Sequence, residues 1–157
     1  VIRIRSFLKN QKGLTLVELL AVIVILGIIA AIAVPAVANI IDNSRKDAHV
    51  ANAESLYNAA RLAVVSENLN ADPEDEDDFW TFYADDTATD RDNEVLNLVD
   101  ERYLDSGPQN PEGDGVYSEA NVEYNGEEYT VTLDEYFGED GKTITEIRAD
   151  GRDALEN

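Results

Sequence analysis

One carboxylate stands where water is scarce. Glu18 opens a run from Leu19 to Ala38 that contains no charged residue. About 20 apolar residues suffice to cross a bilayer as a helix, and an ionised side chain inside lipid costs roughly 2.5 to 3.5 kcal/mol even on lenient scales. A group kept at that cost implies a partner awaiting it. Elsewhere the chemistry is thinner. Asp90, Asp92 and Glu94 alternate as in a calcium loop, but no glycine follows at the required place and no late glutamate completes the set, so a solvated surface is the plainer reading. His49, alone between Ala48 and Val50, reads as surface or packing. No nucleophile, base and orienter set is recognisable, so the expectation is no catalytic residue, no cofactor and no enzyme.

The element that must position Glu18 is a long helix. Beyond the apolar run, Ile41, Ser44, Ala48, Ala51, Ser55, Ala59, Leu62, Val65 and Leu69 recur every three or four residues, while Asn52, Glu54, Arg61 and Glu67 fall elsewhere on the wheel. Asn70-Ala71-Asp72-Pro73 is the expected stop, because proline disfavours helix at the residue before it. A helix from Leu14 to about Asn70 would be roughly 85 Å long at 1.5 Å per residue. Inside its greasy half, Pro35 cannot donate to the Ala31 carbonyl and costs about 3 kcal/mol, and Gly27 costs about 1 relative to alanine. The segment between them is the weak link, either a melting segment or a simple proline kink.

Composition and charge bound the rest. Of the 12 Lys and Arg, Arg3, Arg5, Lys9 and Lys12 precede the apolar run; of the 33 acids only Glu18 lies before Asp42. From Leu19 onward eight basic residues face 32 acidic ones, a net charge of −24. Basic residues beside a span stay cytoplasmic, which puts the N-terminus inside and the acidic body outside. Such a body repels nucleic acid phosphates, so no direct nucleic acid partner is expected. Solubility and salt tolerance are its natural benefits, and a saline habitat would favour it. With no cysteine, no disulfide staples the body. The chain begins at Val1 and contains no Met, which suggests a start codon other than AUG or residues upstream.

The C-terminal part reads as a small α+β head. Pro73 to Asp92 is a carboxylate-rich connection whose Phe79, Trp80, Phe82 and Tyr83 would pin it to the helix. Asn93 to Leu104 has the apolar spacing of a short helix, stopped by Gly107. Val116 to Tyr124 and Glu128 to Leu133 alternate about Asn125-Gly126, the strongest short hairpin signal. Thr143 to Arg148 would add a third strand, and Asp150 to Asn157 would fray. Val122, Tyr124, Tyr129, Val131 and Leu133 should cover the apolar face of the helix. Three or four strands alone are marginal, so the helix must be part of the core.

The N-terminal residues resemble the processing site of type IV prepilins and pseudopilins. A basic leader, Lys12-Gly13, then Leu14-Thr15-Leu16-Val17-Glu18, with Gly27 and Pro35 beyond, stand at that family's spacing. The resemblance implies a type IV pilin-like ladle: a long N-terminal hydrophobic helix with a small C-terminal antiparallel sheet. It implies cleavage by a prepilin peptidase between Gly13 and Leu14, N-methylation of Leu14, and an assembly salt bridge from the new amine to Glu18 of a neighbouring subunit. The region 1–13 would be a cytoplasmic leader, 14–39 the transmembrane and assembly half of the helix, 40–70 its amphipathic half and 71–157 the acidic external head. Implied partners are the membrane, other copies in a helical homopolymer, minor pilins, a platform protein and a motor ATPase. The precursor would sit in the inner or cytoplasmic membrane and the product in a cell-surface filament.

A major pilin is the first reading and a competence or secretion pseudopilin the second. Many Gram-negative pilins carry a C-terminal disulfide, so its absence here points to a Gram-positive or pseudopilin-like member. Two alternatives stay open. Ala31-Ile32-Ala33 and Ala36-Val37-Ala38 resemble signal-peptide cleavage sites, although export signals usually have shorter apolar cores of about 7 to 15 residues. A monomeric membrane-anchored acidic binding domain would also fit the composition, but gains nothing from Glu18.

Overall fold

The computed structural model describes residues 15–75, 78–84, 95–113 and 115–156. The chain divides into two compact units, Val1–Ile41 and Asp42–Asn157. Helix α1, Leu16–Glu67, supplies nearly all of the described first unit and the opening of the second. Its end is built from chain geometry. Asn68 adopts a left-handed φ of 54°, and the Leu69 amide donates to the Val64 carbonyl at 3.0 Å, the pattern that caps a helix through a left-handed residue. The helix therefore stops slightly before the expected Asn70 to Pro73 break.

The second unit is an α+β head with a five-stranded sheet. Its strands are β1 (Trp80–Tyr83), β2 (Val95–Asn97), β3 (Ala120–Tyr124), β4 (Tyr129–Leu133) and β5 (Lys142–Thr143), in the order β2-β1-β3-β4-β5. The expected hairpin is β3 and β4, paired from Ala120↔Leu133 to Tyr124↔Tyr129. Asn125 organises its loop by accepting from the Glu127 and Glu128 amides at 3.1 and 2.8 Å. Gly126 is required there: its φ is 97°, and a Cβ would fall on the Ala71 carbonyl oxygen.

Five expectations fail in the head. Trp80–Tyr83 is not a connecting loop but a central strand, antiparallel to β3 and parallel to β2. Its aromatic and threonine residues favour a pleated, half-buried surface, and the carboxylates lie on either side of it in sequence. The sheet is consequently mixed rather than wholly antiparallel. The expected helix over 93–104 is, in its described part, strand β2 followed by a turn. The Asn97 side chain accepts from the Val99 and Asp100 amides at 2.9 and 3.2 Å, offering the backbone a local alternative to helix.

Of the expected third strand, Thr143 to Arg148, only Thr143 is strand, making β5 together with Lys142; Ile144–Asp150 forms helix α2. Thr143 and Glu146 make a reciprocal capping box that starts it. The C-terminus is held rather than frayed. A 3-10 turn over Gly151–Ala154 buries Ala154, Leu155 is also buried, and the Glu156 amide donates to the Tyr136 carbonyl at 2.8 Å. Arg148 binds Glu54 with two hydrogen bonds of 2.7 and 2.8 Å, and Arg152 grips Asp47.

The helix face that closes the core overlaps only in part with the one the periodicity favoured. His49, Ala53, Leu56, Tyr57, Ala59, Ala60, Ala63 and Val64 are buried; of the expected stripe, Ala59 is among them and Leu69 packs against the core, whereas Leu62 and Val65 are 54% and 72% exposed. Alanine lines both stripes, so the choice falls to residues far along the chain: the bulk of Phe82, Leu98, Val122, Val131, Leu133 and Phe137, all within 1% of complete burial, fills the space beside the small side chains of the inner face, and interiors pack to a fixed density. The expected core residues Val122, Val131 and Leu133 join this cluster, with Tyr124 and Tyr129 packed at its margin.

His49 is a packing residue. It is 2% exposed, its Nδ1 lies 2.8 Å from the Tyr117 hydroxyl, and its ring sits 3.8 Å from that of Tyr136. The Asn52 amide donates to the same hydroxyl at 3.0 Å, and the His49 Nε2 is buried with no hydrogen-bond partner among the described residues. Burial pushes the His49 pKa down, against the opposing pull of Glu112 and Asp134, and pushes the Tyr117 hydroxyl up to about 12. A histidine held below its ordinary value of 6.5 binds fewer protons folded than unfolded, so stability falls as pH drops from that value toward the folded one. The thermal midpoint of the protein in detergent should therefore decline as pH is lowered below neutrality. His49→Gln should flatten that decline; an unchanged slope in the variant would assign it to other groups.

Candidate functional site

The first unit offers a surface rather than a cavity. From Leu16 to Ile41 every residue of α1 is exposed, including Leu16 at 81% and Ile32 at 71%. An 18-residue window has a mean hydropathy of 3.0 and none of it is buried. A helix apolar all round needs a non-aqueous surrounding or neighbouring apolar surfaces. It is long and apolar enough to cross a membrane.

Glu18 sits at the first turn of this surface. Its Oε2 accepts from the Thr15 amide at 2.9 Å and from the Thr15 hydroxyl at 2.8 Å. The Glu18 amide in turn donates to the Thr15 hydroxyl oxygen at 3.2 Å. Thr15 and Glu18 thus form a capping box, satisfying two of the amides that every helix start leaves without partners. Sequence reasoning passed over Thr15, although Thr-x-x-Glu before an apolar run is its written signal. The cap gives Glu18 a structural duty but no counter-charge. Among the described residues no cation pairs with it, and its other carboxylate oxygen keeps its capacity for a charged donor.

The weak points of the stem are present without breaking it here. Helix α1 runs unbroken in its assignment through Gly27 and Pro35. A Cβ at Gly27 would meet nothing within 4 Å, so no contact in this chain demands glycine there. Pro35 has no amide hydrogen, which deprives the Ala31 carbonyl of its helical donor.

The structure brings Glu18 together with Thr15 and places Gly27 and Pro35 on the same helix. Gly13, Leu14 and the basic residues Arg3, Arg5, Lys9 and Lys12 lie outside the described residues, as do Asp90, Asp92 and Glu94. Among the described residues no group of three potential ligands is placed to hold a metal ion.

A search of curated proteins gives no match to the chain, and a search of solved structures gives none. A family does match, described as the prokaryotic N-terminal methylation motif, over residues 8–34. That interval contains Lys9, Lys12, the Gly13-Leu14 junction, Glu18 and Gly27, and it stops one residue before Pro35. The chain therefore carries, on the helix whose apolar surface has no partner of its own, the N-terminal methylation motif that is the signature of type IV prepilins and pseudopilins.

Proposed function

We propose that this chain is the structural subunit of a type IV pilus-like extracellular filament, a major pilin by preference, processed at Gly13-Leu14 and assembled through its N-terminal helix. The observation that carries the reading is Glu18: a carboxylate whose partner among the described residues is neutral, at the start of an exposed apolar stretch, Leu16 to Ile41, that bears most of the methylation motif. A monomeric anchor could cap its helix with Thr15 and any acceptor. The motif implies processing by a prepilin peptidase and engagement of pilus assembly machinery in general, and the apolar helix fits a membrane-anchored precursor.

The proposed chemistry is charge creation followed by charge pairing. Glycine lacks a Cβ and lets a peptidase approach the scissile backbone closely. Cutting after Gly13 turns a neutral amide into a cationic amine on Leu14, which is then methylated. In a low-dielectric filament core that amine finds Glu18 of a neighbouring subunit, the two apolar stems covering each other. Arg3, Arg5, Lys9 and Lys12 keep the leader cytoplasmic, so the cut end starts on the inner side. Gly27 and Pro35 mark the length of stem that gives way when subunits pack.

Three outcomes test this reading. Subunits from sheared surface filaments should begin at N-methyl-Leu14, and Gly13→Val should accumulate uncleaved in the membrane; a terminus at Val34 or Asn39 would establish a secretory signal instead. Glu18→Gln should insert and be cleaved normally yet assemble poorly. An uncompensated buried charge costs about 3 to 5 kcal/mol, and each 1.4 kcal/mol is a factor of ten, so filament yield relative to membrane protein should fall about 100-fold or more. Wild-type yield from that variant would sink the assembly role of Glu18. Finally, a filament map should lack continuous i to i−4 hydrogen bonding between Gly27 and Pro35, and Pro35→Ala should alter filament geometry or yield while sparing insertion. An unbroken bent helix there would leave only a kink.

A further inference from the structure

We infer that the head units of this filament can pack only within an atmosphere of mobile cations supplied by the medium, so that ionic strength gates assembly; the inference rests on the reading of the chain as a polymer subunit. From Asp42 onward the chain has 32 acidic and eight basic residues, a net charge of −24. Polymerisation must bring such heads side by side, and the first question is where neutralising charge could come from.

It does not come from the chain's own cations. Arg45 pairs with Glu112 at 3.1 Å and Lys46 with Asp42 at 3.8 Å. Arg148 and Arg152 are committed to Glu54 and Asp47, and the Lys142 ammonium donates to the Ala154 carbonyl at 2.6 Å. Among the described residues of the head, Arg61, Arg102 and Lys142 alone are in no ion pair with an acid, and Arg61 and Arg102 are exposed. Three cations cannot balance a neighbour carrying 32 carboxylates. Nor does the neutralising charge come from a fixed metal in the described head. Glu119, Asp134, Glu135, Glu139, Asp140 and Glu156 line one open concavity, yet no three potential ligands in the described residues stand close enough to hold an ion. The compensation is diffuse, and diffuse compensation depends on ionic strength.

The magnitude decides that the dependence is steep. The screening length is about 30 Å at 0.01 M salt and about 3 Å at 1 M, while a folded body of 100 residues has a radius of gyration of about 13 Å. At the low value the field of one head spans its whole neighbour; at the high value it dies within contact distance.

The test uses filaments sheared from cells into about 1 M NaCl and dialysed to about 0.01 M, the two strengths that bracket the change in screening. The pelletable fraction should fall on the order of tenfold or more across that range. Restoring NaCl should recover it, and EDTA added in high salt should leave filaments intact. Combining Glu101→Lys, Glu127→Lys and Glu135→Lys, exposed positions outside every ion pair described, should lower the salt required. Filaments equally stable at both strengths, or dissolved by EDTA in high salt, would overturn the inference while leaving the polymer reading standing. Absence of the subunit from the sheared fraction at every salt concentration would remove both.

Discussion

An apolar helical surface without a partner in its own chain is the constraint on which the rest depends. The Leu16 to Ile41 part of α1 exposes every residue, and burying one such side chain is worth about 1.5 to 3 kcal/mol. A surface of that kind is stable only in lipid or against other apolar surfaces, and a filament subunit needs both in turn. Glu18 is what would make the two environments different. In lipid an ionised carboxylate is a cost, which the neutral Thr15 cap answers in part; beside a cationic terminus of another copy, as proposed, it would become a gain. A single carboxylate would then bias the stem toward its own kind without changing its affinity for apolar surroundings.

The same helix answers a different demand in the head. Its C-terminal half contributes His49, Ala53, Leu56, Tyr57, Ala59, Ala60, Ala63 and Val64 to a core closed by the sheet. A domain without cysteine has no covalent staple, and its C-terminus is fastened instead by Arg148 on Glu54 and Arg152 on Asp47, with Ala154 and Leu155 buried beneath. Solvent-exposed ion pairs contribute little singly; here they are joined by apolar burial and by Arg148 lying 4.8 Å over the Tyr57 ring.

What could be read from the sequence was what chemistry spaces. The Gly13, Glu18, Gly27 and Pro35 pattern needed no tertiary information, and the prokaryotic N-terminal methylation motif matches over the first three of these positions. The Asn125-Gly126 hairpin was equally local. The head's other elements were not, because short apolar runs fit more than one period. Val95, Leu96, Val99 and Tyr103 suit a helix by spacing, yet Val95–Asn97 gains a strand partner in β1, which no local signal announces. The side of α1 that turns inward was hidden for the opposite reason: both stripes are rich in alanine, and the bulky residues that select one of them sit far along the chain. The capping boxes at Thr15 and Thr143 were legible as Thr-x-x-Glu and were passed over because apolar periodicity was given precedence.

The contacts that seat α1 in the head also set the order in which the head can form. Asp47 meets a residue 105 positions later, Glu54 one 94 later, and His49 and Arg45 residues 68 and 67 later. Contacts this distant in sequence make folding slow, since a long loop must close before any of them stabilises it. Synthesis runs from the N-terminus, so the stem emerges and can partition into lipid while the helix segment above it still has nothing to bind. The head closes only after Arg152 has followed. A chain ordered this way keeps its head segment open, and therefore extended enough to thread, until the distant partners of the helix have been made.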